Sequence, residues 1–197
     1  LGNKIGKVIT ITGPMFSGKT SRLIELLERH MRAGRKVALF KPNIDFRYSE
    51  NEVTSHNGIK MNAIRSPIGL DSRDSIKGKI KGINIIGFDE VQFWKESSHI
   101  DDFIEDLAFS GKTIYCSALN RDHFGKPFAI TKKILGISDE IYSLTAVCSK
   151  CGEDATFTQR INDGKPYFGA IIKIGGKGLY EPRCRNCYVK PTRIIHF

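Results

Sequence analysis

Apolar residues change their period several times along the chain, and the changes mark out elements. Residues 7–12 are rich in β-branched side chains, which predicts a strand. Residues 13–20 then form a glycine-punctuated turn, beyond which Leu23, Leu27 and Met31 recur every four positions with Ile24 beside them. That spacing draws one apolar stripe and predicts a helix, which Gly34 would end. Further strands are expected at residues 36–40, 84–89, 112–117 and 140–144, each short and apolar enough to be buried on both faces of a parallel sheet. Ile100, Phe103, Ile104, Leu107 and Ala108 keep helical spacing before Gly111, and residues 128–135 predict a shorter helix. The alternation implies an α/β fold, a parallel sheet flanked by helices. Residues 45–65, by contrast, are polar and poorly periodic, and read as a long loop of the kind that often carries function.

A length of 197 residues suits one domain with a small appendage. The chain is 40% hydrophobic and 26% charged, which excludes disorder throughout. No apolar run approaches the roughly 20 residues that span a bilayer, and the first eleven residues are too interrupted for a signal peptide, so a soluble, non-secreted, cytoplasmic protein is expected. Composition shifts near Ala146, where cysteine pairs begin and glycines crowd the region between them. We therefore divide the chain into residues 1–145 and 146–197. The net charge, 31 − 21 = +10, favours an anionic partner: nucleic acid, a membrane surface or a nucleotide polyphosphate. The cations are scattered, with Lys77, Lys79 and Lys81 alternating with Ile and Gly, and no block of five like charges forms. They read as solvated surface rather than a nucleic-acid track.

Gly13-Pro14-Met15-Phe16-Ser17-Gly18-Lys19-Thr20 matches GxxxxGK[ST], after a strand and before a helix. In such a loop backbone N–H groups wrap phosphates, Lys19 reaches the β- and γ-phosphates, Thr20 ligates Mg²⁺, and the helix N-terminus adds positive potential. The apolar strand over Ile85 and Ile86 ends in Asp89-Glu90, the acidic pair a P-loop fold needs. Asp89 would hold Mg²⁺, and Glu90 would face the attacking nucleophile. In an ATPase a glutamate there orients water; in a kinase it takes a proton from a hydroxyl. Cys148-x-x-Cys151 and Cys184-x-x-Cys187 offer the four thiolates of a structural zinc site. Two disulfides or free thiols are the alternative, and the absence of a secretory signal favours zinc. Cys116, in the strand-like Thr113 to Ser117 stretch, reads as a small buried hydrophobe.

Four of these segments together resemble the type II thymidine kinases, over nearly the whole chain. GPMFSGKT is similar to that family's P-loop, KPNIDFRYS (41–49) to its KPxxDxRY segment, DEVQFW (89–94) to its DExQFF, and LTAVCSKC (144–151) to its LTAVCxxC. The resemblance implies a RecA-like P-loop kinase core with a small C-terminal zinc-ribbon or lasso domain. It implies transfer of the γ-phosphate of ATP to the 5′-hydroxyl of thymidine, with Mg²⁺ and structural Zn²⁺, in a homotetramer. Glu90 matches the general base, Asp45 an acid that helps hold magnesium, and Arg47 an arginine that reaches the phosphates. Met15, Leu119, Thr158 and Tyr180 match nucleoside-pocket positions. Phe128 matches a pocket aromatic, and Ile171, Lys173 and Ile174 fall in the lasso, where Lys173 stands in place of a small apolar residue. The family's GLD is Ala118-Leu119-Asn120 here, and its aromatic four beyond the leucine falls on His123, with Phe124 next. The competing reading is a nucleic-acid-dependent RecA-like ATPase whose zinc ribbon grips DNA, motivated by the charge. A DNA motor needs a continuous basic track and more chain than precedes Cys148. A binding module with a dead nucleotide site is disfavoured by intact Lys19, Thr20, Asp89 and Glu90.

Overall fold

Strand β1 (Lys7–Gly13) runs into the glycine turn, helix α1 (Lys19–Arg32) follows, and β2 (Val37–Pro42) returns to the sheet. The computed structural model describes residues 5–44, 52–54, 60–170 and 178–191. Short strands β3 (Glu52–Thr54) and β4 (Lys60–Asn62) pair antiparallel. Then come β5 (Ile64–Ser66), α2 (Ser72–Lys77), β6 (Ile85–Phe88), α3 (Ile100–Phe109), β7 (Thr113–Leu119), α4 (Ala129–Gly136) and β8 (Glu140–Ser143). Six strands make one parallel sheet in the order β5-β2-β6-β7-β1-β8.

Successive strand residues face opposite sides, and here both sides are apolar. Val8, Ile86, Ile114 and Cys116 join the cluster formed with α3 and α4 through Ile100, Phe103, Ile104, Ile130 and Ile134. Their neighbours Ile9, Ile85 and Tyr115 join the opposite cluster, where α1 contributes Leu23, Ile24 and Leu27. A period of two within each strand thus divides the core into two layers, with helices covering both.

Three expectations are corrected. Met31 does not complete the buried stripe of α1: it is 53% exposed, because a strict four-residue spacing drifts about 40° per step around the helix, and in the last turn His30 rather than Met31 meets the sheet, at Tyr115. Strand β8 is largely exposed rather than buried on both faces, since it is the outer strand beside β1. The stretch read as one loop over residues 45–65 carries β3, β4 and the start of edge strand β5, which are too short to set up a period.

After β8 the chain turns antiparallel. Strands β9 (Ala146–Val147) and β10 (Asp154–Ala155) form one hairpin, and β11 (Phe157–Asn162) pairs with β12 (Lys165–Pro166) and β13 (Tyr180–Arg183). This region carries all four paired cysteines. Among the described residues, no helix is long and apolar enough to cross a membrane.

Candidate active site

The loop over residues 13–18 needs glycine at its two ends for different reasons. A Cβ on Gly13 would lie 2.4 Å from the Leu144 carbonyl oxygen, so the chain crossing from β8 leaves no room for one. Gly18 sits at φ 80° as the residue before α1, a left-handed conformation natural to glycine. Between them the side chains tie the loop to itself. Lys19, buried, donates from Nζ to Pro14 O at 2.6 Å, and Ser17 Oγ donates to the same carbonyl at 2.9 Å.

Sheet order decides what the loop faces. Strand β6 lies two places from β1, so Asp89, just past its end, meets the first turn of α1. Thr20 Oγ1 stands 3.4 Å from both carboxylate oxygens of Asp89, and Ser117 Oγ, on the intervening β7, donates to Asp89 Oδ1 at 2.6 Å. The Asp89 backbone N–H donates to Phe40 O at 2.9 Å, and the side chain is buried. A hydroxyl and a carboxylate beside a phosphate loop form an all-oxygen donor set of the kind that suits a hard cation such as Mg²⁺. Glu90 follows in a left-handed conformation, φ 55°. Gln92 turns back onto it: Nε2 donates to Glu90 Oε2, while Oε1 accepts the Leu119 N–H at 3.0 Å.

The C-terminal region reaches this centre directly. Thr158 Oγ1, buried on β11, accepts the Met15 N–H at 3.0 Å. Phe16, at φ 66°, packs against buried Ala146, Cys148, Ala155 and Cys184. Buried His123 has Nε2 3.2 Å from Gly169 O, its ring 4.2 Å from that of Phe124, and its own carbonyl accepting from Tyr188 Oη at 2.9 Å. Phe124 continues to Phe168 at 6.0 Å. Leu119 ends β7, and its carbonyl accepts from Thr131 Oγ1 at 2.9 Å, which brings up α4 behind half-buried Phe128. Buried Tyr180 opens β13 opposite Arg160. Asp45, Arg47, Ile171, Lys173 and Ile174 lie outside the described residues.

The cysteines converge as their spacing requires. The Sγ atoms of Cys148, Cys151, Cys184 and Cys187 all lie within 4.8 Å of one another, and those of Cys151 and Cys184 are 3.6 Å apart. Zinc bonds of about 2.3 Å in a tetrahedron set sulfurs about 3.8 Å apart, whereas a disulfide needs about 2.05 Å. All five cysteines are free, so the four fit a zinc ion and the disulfide alternative falls. Burial works against the Cys148 thiolate, but backbone N–H groups of Cys184, Lys150 and Cys151 outweigh it and bring the thiol down to about 6. Hydrogen bonding to the sulfurs of Cys151 and Cys184 pushes Cys187 up to about 12, so these closely set thiols do not all ionise alike. Cys116 is the buried hydrophobe expected, its thiol driven far above its ordinary range by burial.

Two contributors escaped the sequence reading. Ser117 shows only as a polar residue in the otherwise apolar run Ile114 to Leu119, and Gln92 only as a letter inside DEVQFW. Ser117 meets Asp89 across neighbouring strands, and Gln92 joins Glu90, two residues away, to the end of β7, a long-range bond that no local pattern encodes.

A phosphate loop at the tip of a parallel sheet, facing acids two strands away, places the chain among the P-loop nucleotide-binding proteins. Comparison with known proteins narrows the class. The family model "Thymidine kinase" matches residues 6–188. The thymidine kinase of Thermococcus kodakarensis is 45% identical over 190 residues, covering 94% of this chain and 95% of its own. That of Mesoplasma florum is 42% identical over 189 residues, 94% of this chain and 92% of its own. That of Pyrobaculum aerophilum is 39% identical over 186 residues, 93% of this chain and 99% of its own. The chain belongs to the thymidine kinase family, a group of ATP-dependent phosphotransferases.

Proposed function

We propose that the chain transfers the γ-phosphoryl group of ATP to the 5′-hydroxyl of thymidine, with Glu90 as general base. The observation that supports this reading is the approach of Asp89 to Thr20, at the head of the helix that follows the phosphate loop, with its carboxylate 3.4 Å from the Thr20 hydroxyl and Glu90 the next residue in the chain. Backbone groups of residues 13–18 hold the phosphates, and Lys19 exchanges its bond to Pro14 O for phosphate oxygen. Thr20 and Asp89 would hold magnesium, with Asp45 as the further acid the resemblance implies. Such an ion would supply positive charge against that of the transferring phosphate. Glu90 takes the proton of the 5′-hydroxyl as that oxygen attacks, and Arg47 steadies the phosphates.

The nucleoside lies between the ends of β1 and β7 and the C-terminal region, against Met15, Leu119 and Thr158. His123, Phe124, Phe128 and Tyr180 form its wider surround, and the resemblance adds Ile171, Lys173 and Ile174 as further nucleoside-binding residues. Residues 146–197 then act as a zinc-held cover on the kinase core of residues 1–145. Covering the site matters because ATP beside an activated water would hydrolyse.

The test is a transfer assay with γ-labelled ATP and Mg²⁺, offering thymidine, deoxycytidine, deoxyguanosine, single-stranded DNA and water in parallel. Label on thymidine alone is the expected result. A cavity of about 700 Å³ lined by Arg121, Lys126, Arg185 and Lys190 gives the ATPase reading its arm in the same assay. Free phosphate rising only with DNA would overturn the kinase reading. Glu90→Gln is expected to leave ATP binding near normal and to lower turnover by roughly 10²–10⁴-fold. A fully active variant would remove Glu90 from the role.

A further inference from the structure

Gln92 is buried, yet its amide uses both ends. The residues from Val91 to Phe93 form one turn of 3-10 helix directly after left-handed Glu90, and this sharp reversal carries the Gln92 side chain back over Glu90. Nε2 donates to Glu90 Oε2, and Oε1 accepts the Leu119 N–H at 3.0 Å. A backbone N–H can only donate, so it fixes which end of the amide points at the carboxylate. The anchor is itself held. Leu119 ends β7, paired with Gly13 of β1, and its carbonyl accepts from Thr131 Oγ1 at 2.9 Å. A chain of bonds therefore runs from α4 through the end of β7 and the Gln92 amide to the Glu90 carboxylate.

A glutamate has three side-chain torsions, and a base must meet its proton within a few tenths of an ångström to act well. Residues that need hold only one end of a flexible acid achieve this by hydrogen bonding to it from a rigid element. We infer that Gln92 is a positioning residue: its amide fixes the rotamer of Glu90 against the end of β7, and it serves phosphoryl transfer only through Glu90. This rests on the reading of Glu90 as the base.

A double-mutant cycle separates this role from simple packing. Gln92→Leu keeps the bulk and removes both bonds. With Glu90 native, it lowers kcat roughly ten- to a hundredfold while KM for ATP stays within about twofold. In a Glu90→Gln background the same substitution changes the residual kcat by less than about twofold, since the group it positions is gone. All four proteins are assayed as the full chain with its zinc retained, with labelled ATP, Mg²⁺ and thymidine, and their unfolding temperatures are compared. Gln92→Met, unbranched and of similar length, replaces the leucine variant if that one does not fold. An equal factor of loss in both backgrounds makes Gln92 a packing residue and overturns the inference, as does full turnover in Gln92→Leu beside an inactive Glu90→Gln. Full turnover in Glu90→Gln itself overturns the base assignment, and the inference with it.

Discussion

Phe16 and Glu90 hold φ values of 66° and 55°, where non-glycine residues rarely sit. Each such conformation costs on the order of 1–3 kcal/mol and persists only where surroundings impose it. At Phe16 the surroundings are Ala146, Cys148, Ala155 and Cys184, and at Glu90 the 3-10 turn that follows, whose Phe93 N–H donates to Glu90 O at 3.1 Å. Away from the site, His30 illustrates how burial sets a titration. Its Nε2 lies 2.8 Å from Tyr115 Oη, and burial, then the charges of Arg35 and Arg29, hold its pKa below 6.5. The unfolded chain takes up this proton first as the medium acidifies, so His30 makes stability fall as pH drops below about 6.5. The unfolding temperature of the native protein is expected to decline more steeply from about pH 7 to about pH 5.5 than that of His30→Gln, with the two curves parallel above about pH 7.5. Parallel curves throughout would show that His30 does not contribute.

At the scale of elements, α1 aims its N-terminus at the phosphate site and seals one face of the sheet. Leu27, fully buried, is the centre of that seal, packed with Ile9, Leu39 and Ile85. Gly87 on β6 makes the close approach possible: a Cβ there would stand 2.7 Å from Leu27 Cδ1 and 2.9 Å from Leu39 Cδ1. Leu27→Ala is expected to cost about 2–5 kcal/mol, measured by chemical denaturation. A cost under about 1 kcal/mol would mean that the helix closes over the gap. These elements were legible beforehand because β1, β6 and β7 are apolar on both faces and α1 and α3 keep strong helical spacing. Strand β5 was not, since three residues set up no period, and the exposure of β8 was not, since an outer strand differs from an inner one only by what lies beyond it.

Across the whole molecule, the cysteine region supports the phosphate loop from outside. Thr158 holds the Met15 N–H, Phe16 leans on the residues around Cys148 and Cys184, and the crossing at Leu144 confines Gly13. Stripping the metal with a strong chelator is therefore expected to lower the unfolding temperature and to weaken ATP binding severalfold, as read by calorimetry, with zinc restoring both. Unchanged ATP affinity in metal-free protein would show that the cluster does not hold the loop. Metal analysis of fresh protein should return one zinc per chain. The sequence by itself determined the parallel α/β core, the phosphate loop, the acidic pair and the four-cysteine set, because each is written in local periodicity or in short, fixed spacings. Tertiary structure alone decided that Ser117 grips Asp89, that Gln92 ties Glu90 to β7 and that Phe16 rests on the cysteine cluster. Those contacts join residues on different elements, and strand order, which local patterning leaves open, brings them together.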